Sequence, residues 1–121
     1  MTHEEIVTYE VAKLAKEKGF IENCRYVYNN DKILLGVKGV RCWREVEFVA
    51  PTQSLLQRWL RDNGFGEVEV RHWPETNKYP HHYGWEVKDN LGDLMSYSSK
   101  MFDTYELALE DALAYSLKNL V

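Results

Sequence analysis

The sequence is poor in whatever would staple a chain shut, fix it in a membrane or draw it to a polyanion. Only two cysteines, Cys24 and Cys42, and three prolines occur among its 121 residues. The opening stretch MTHEEIVTYE is acidic and lacks an apolar leader. A cytoplasmic chain with free thiols is therefore predicted, rather than a disulfide-stapled one. No apolar run approaches the roughly 20 residues of a membrane-spanning helix, so no membrane association is expected. Positive charge is also scarce: 15 Lys and Arg face 19 Asp and Glu, for a net charge of −4. A chain of that balance has no overall electrostatic pull toward nucleic acid. Glycine-rich phosphate loops, close pairs of metal ligands and catalytic signatures are missing as well. The sequence thus predicts no cofactor, no metal and no catalytic residue.

What it does contain is a full set of folding signals. Hydrophobic residues make up 45% of the chain, with four Trp, eight Tyr and four Phe. That is enough to bury a core within one domain spanning residues 1–121. Thr8 is placed to cap a helix running to about Lys18, and Thr2 with Glu5 allows an earlier start by a capping box. Gly19 ends that helix, and Phe20 can fold back over it. The runs 25–28 and 33–35, around the turn formers Asn29, Asn30 and Asp31, read as strands, as does 45–49. Gly36 and Gly39 interrupt the pattern between them.

A second helix opens at Pro51 or Thr52, buries Leu55, Leu56, Trp59 and Leu60, and stops at Gly64 before Phe65. Strict alternation over 67–73, then strands near 83–87 and 94–98, predict an antiparallel meander. A third helix is expected with Asp103 as cap, Glu106 closing a capping box and Phe102 stapled to Leu107. The fold predicted is α+β, with three helices packed on one face of a mainly antiparallel sheet of about five strands. Residues 14–28 and 59–73 echo one another, each with a helix, Gly-Phe, Glu and an aromatic-ended strand. Two independent uses of one helix stop explain this more simply than a duplicated unit.

Two regions are left as binding candidates. Gln57, Arg58 and Arg61 on the outer side of the second helix suit phosphates and base edges. All six arginines lie between residues 25 and 71, but six carboxylates lie among them, so a solvated polar face is the better reading. The loop bearing Trp73, Tyr79, His81 and His82 gathers aromatic and imidazole groups between two strands. It is either a recognition tip or a hairpin end stiffened by Pro74 and Pro80. A zinc cage drawn from Cys24, Cys42, His72, His81 and His82 is disfavoured, because the cysteines are distant and adjacent strand residues point apart. Cys42 beside Arg41 and Arg44 lacks an evident base. Asp103, Glu106 and Glu110 are what the dipole of a helix start favours without any cation.

The blocks Val7-Thr8, Lys16 to Phe20, Ala50-Pro51-Thr52-Gln53-Ser54-Leu55-Leu56-Gln57-Arg58-Trp59-Leu60-Arg61 and Tyr105 to Glu110 resemble, in order, a group of small proteins of gut Bacteroides-type bacteria and their phages or prophages. The match covers most of the chain outside 29–47. It implies a bacterial cytoplasm and a tie to mobile elements, and it assigns no activity. Together these readings point to a small non-enzymatic interaction or accessory module with a protein partner. A nucleic-acid accessory role for the second helix is the alternative.

Overall fold

Among the described residues, threonine starts each of three helices. The computed structural model describes residues 5–20, 22, 24–29, 31–36, 48–89, 91–98 and 100–121. Several expectations lie outside these: Thr2 of the earlier cap, Asn30, strand residues 45–47, and Gly39, Arg41, Cys42 and Arg44. Helix α1 (Tyr9–Glu17) has Thr8 as its cap, α2 (Gln53–Asp62) has Thr52, and α3 (Tyr105–Asn119) has Thr104. In each case the hydroxyl accepts the backbone N–H three residues on, from Val11, Leu55 and Leu107 respectively. A cap of this kind contributes about 1 kcal/mol.

The helix stops are equally regular for α1 and α2. Gly19 and Gly64 adopt positive φ of 98° and 77°. Their N–H groups reach Lys16 O and Arg61 O, and those of Phe20 and Phe65 reach Ala15 O and Leu60 O. This is the paired hydrogen-bond pattern of a Schellman stop, and it turns each phenylalanine back over its helix.

The third helix corrects the sequence reading. Its cap is Thr104 rather than Asp103, so Glu106 does not close a capping box. Leu107 is exposed, and the predicted staple to Phe102 does not form. The reason lies in the sheet. Phe102 is held in an antiparallel bridge with Tyr83, with N–H to O distances of 2.8 and 2.9 Å both ways. The chain stays extended through that bridge and turns helical only beyond it.

Six strands are described. The first three are β1 (Tyr26–Tyr28), β2 (Leu34–Gly36) and β3 (Phe48–Ala50), which form a sheet of order β2-β1-β3. The others are β4 (Glu67–Trp73), β5 (His82–Lys88) and β6 (Leu94–Tyr97), which form a sheet of order β4-β5-β6. Every pairing in both is antiparallel. The α+β class and the meander are as predicted, but one sheet of about five strands is not what forms. Central strand β1 has both edges occupied, by β2 and β3, and α2 separates β3 from β4 in the chain.

The helices join the two sheets. Helix α1 packs on β3 and on α3, while α3 packs on β4 and β5 as well as on α1 and α2. Helix α3 buries Ala108, Leu109, Ala112, Leu113, Ser116 and Leu117, with Ala114 and Tyr115 half-buried beside them. Helix α3 thus lies on the second sheet and meets the first through α1, which packs on β3. Residues from both sheets and all three helices accordingly share one core cluster, including Phe20, Tyr28, Phe48, Leu60, Val87 and Leu113. Fully buried leucines such as Leu113 and Leu117 contribute about 2 kcal/mol each. Among the described residues no helix is long and apolar enough to cross a membrane.

Candidate interaction surface

Strand alternation sorts the side chains of the second sheet into two faces. Val68, Val70 and His72 stand opposite Val87, Trp85 and Tyr83, on the side that α3 covers. Glu67, Glu69, Arg71 and Trp73 stand opposite Lys88, Glu86, Gly84 and His82, on the other side. On this outer side Arg71 Nε lies 2.8 Å from Glu86 Oε2, and Lys88 Nζ lies 3.3 Å from Glu69 Oε2. These pairs fill one end of the face with charge.

The other end is aromatic. Trp73 stacks on its cross-strand partner His82, with centroids 5.4 Å apart and rings 4° from parallel. Beyond His82 the indole crosses Gly84, where an added Cβ would stand 2.9 Å from Trp73 Cζ3. Glycine is therefore needed at 84 for the ring to lie flat. Trp73 remains 43% exposed despite this packing. A large side chain held rigid in solvent suits an interface, because little conformational freedom is lost on contact.

The loop between the strands is built around Thr76. Its N–H donates to Tyr79 O at 2.8 Å, and its hydroxyl accepts from Tyr79 N at 3.1 Å. Tyr79 is thereby held at the tip, 53% exposed. His82 Nδ1 lies 3.2 Å from Pro80 O. His81 and His82 point to opposite faces, as alternation predicts. His81 rings against His72 and Tyr83, with centroids 5.7 and 6.3 Å away, while His82 joins Trp73.

The second predicted region divides. Arg58 and Arg61 are exposed on α2, and Arg61 lies 3.7 Å from Asp62. Gln57 is turned inward: its Nε2 donates to Val68 O at 2.6 Å and ties α2 to β4. The arginines and the aromatic loop thus do not share one set of contacts.

Sequence reasoning did not bring together three neighbours of the loop: His72, weighed there only as a zinc ligand, Tyr83 and Tyr105. His72 and Tyr83 are register partners with ring centroids 4.8 Å apart, and Tyr105 meets Tyr83 edge-on at 6.5 Å. Alternation sets His72 on the face of Val68 and Val70, where it lies exposed toward the end of the strand. Its partner, however, depends on the register across loop 74–81, which no local signal sets.

Tyr105 also borders a cavity of about 150 Å³ between α2 and α3, lined by Glu5, Gln53, Ser54, Gln57, Glu106 and Leu109 as well. Its most buried polar group, Gln53, gives its amide hydrogens to Glu106 O and Glu110 Oε1, both at 2.9 Å. That group is committed to holding helices together. Cys24 is equally unsuited to nucleophilic chemistry. Burial first, and the Glu22 carboxylate second, push its thiol up to about 11, which disfavours the reactive thiolate.

No protein-family model, no curated protein and no solved structure matches this chain.

Proposed function

We propose that this chain is a small non-enzymatic interaction module that grips a protein partner with the aromatic end of the β4–β5 hairpin. The bacterial or phage cytoplasm implied by the sequence resemblance is its setting. The observation that supports this most directly is Trp73, which is exposed yet fixed between His82 and Gly84. Tyr79 at the tip extends the same end of the molecule. Rigid Trp and Tyr anchors are the residues on which binding energy concentrates in protein interfaces.

The test compares the wild-type chain and a Trp73→Ala, Tyr79→Ala variant as baits in a bacterial lysate, followed by reconstitution with the purified partner. One protein held by the wild type and lost by the variant is expected. Identical capture by both baits would overturn the reading. So would a reproducible turnover abolished by a single polar-to-Ala change. The nucleic-acid alternative draws on Arg58 and Arg61, exposed on the outer face of α2. It requires salt-sensitive DNA or RNA binding that Arg58→Glu with Arg61→Glu removes.

A further inference from the structure

We infer that His72 and His81 form a two-imidazole chelate for a divalent transition-metal ion of the zinc, nickel or copper class. The two residues lie nine apart in sequence, outside any close-pair metal motif. The hairpin nevertheless brings their ring centroids to 5.7 Å on one face. With Zn–N bonds of about 2.0–2.1 Å and tetrahedral angles, two imidazoles sharing an ion hold their centroids roughly 5 Å apart. The rings meet edge-on at 64°, and both side chains are exposed, so rotation about their side-chain bonds can turn a nitrogen of each toward a shared ion.

The backbone places both rings on that face. His72 is fixed by strand pairing with Tyr83, and His81 directly precedes β5. The Tyr83 ring touches both imidazoles and is itself met by Tyr105. Among the described residues the histidine hydrogen bond is that of His82 with Pro80 O, so the nitrogens of His72 and His81 are open to a ligand. No group of three or more His, Cys, Asp or Glu among the described residues forms a cage. The ion therefore keeps open positions, filled by water. Imidazole pairs suit zinc, nickel and copper, with copper held most tightly. Trp73 and Tyr79 take no part, so the chelate does not rest on the partner reading above.

The test is titration of the full chain with zinc chloride, followed by calorimetry and by the imidazole proton resonances. One ion per chain is expected, with the His72 and His81 signals moving together and those of His3 and His82 unmoved. His72→Gln and His81→Gln should each abolish saturable uptake, while His82→Ala keeps it. Each variant is checked for the wild-type amide spectrum. If His72→Gln disturbs the strand, His81→Gln, which lies outside it, decides alone. Absence of saturable uptake by the wild type, uptake surviving His81→Gln, or uptake that follows His3, His82 or the thiols would overturn the assignment.

Discussion

The turn joining β1 to β2 and the turn joining β5 to β6 are built alike, on sheets whose chain order differs. In the first, Asn29 Oδ1 accepts from Asp31 N at 2.9 Å and Ile33 N at 3.0 Å. In the second, Asp89 Oδ1 accepts from Leu91 N and Asp93 N, both at 2.9 Å. The fourth residue is left-handed in both: Lys32 at φ 64° and Gly92 at φ 85°. Central strand β1 comes first in its sheet, whereas central strand β5 comes second. A turn thus fixes which two strands become neighbours, and it leaves open which side the third one joins.

The echo between residues 14–28 and 59–73 resolves in the same way. Both segments end their helices with the same stop, but one leads into a central strand and the other into an edge strand. The stop is built by the same hydrogen bonds in both segments. The two stops converge on Trp59, whose ring centroid lies 5.5 Å from Phe20 and 5.7 Å from Phe65. Trp59→Ala removes a side chain that touches both stops. A loss of about 3 kcal/mol is expected, read as a lower urea midpoint at unchanged slope. A loss below that of an exposed-site control would show that the halves do not meet there.

The next largest effect tests how the helices tie the two halves together. Glu110 accepts from Thr8 N and Thr8 Oγ1 through Oε2, both at 2.8 Å, and from Gln53 Nε2 through Oε1 at 2.9 Å. It therefore links the starts of α1 and α2 to the middle of α3. Glu110→Gln keeps the shape but puts an NH₂ group against one of these donor sets. A cost of about 1–2 kcal/mol is expected, checked by the same denaturation. In the sequence this glutamate looked like an ordinary helix carboxylate, because its partners lie in other helices.

What the sequence revealed and what it hid divide along that line. Thr8 and Thr52 as caps, both Gly-Phe stops and all of 67–73 as a strand are short-range matters, and they were legible. Thr104 was not, because a cross-strand bridge at Phe102 overrides the better local cap at Asp103. The separation into two sheets was hidden for a similar reason. An apolar stripe on α3 shows that something covers it, but not how many layers do. At the candidate site, alternation predicted that His81 and His82 diverge. It could not show that His81 meets His72, nor that Gln57 turns onto β4.

The smallest effect isolates the two turns themselves. A left-handed backbone costs a non-glycine residue about 1 kcal/mol, while glycine adopts it freely. Gly92→Lys, which gives the second turn the residue of the first, should therefore lose about 1 kcal/mol. The reverse change is not its mirror image, because Lys32 Nζ stands 5.1 Å from the centroid of the Tyr9 ring. A cation near the surface over the half-buried Tyr9 ring is worth about 0.5–1 kcal/mol, and it links this turn to α1. Lys32→Gly should thus relieve strain and lose that contact together, leaving stability changed by less than about 0.5 kcal/mol. In a Tyr9→Leu background the contact is already gone, and Lys32→Gly should then stabilise by nearly the full amount that Gly92→Lys costs. Equal gains from Lys32→Gly with and without Tyr9 would show that backbone strain alone separates the two turns.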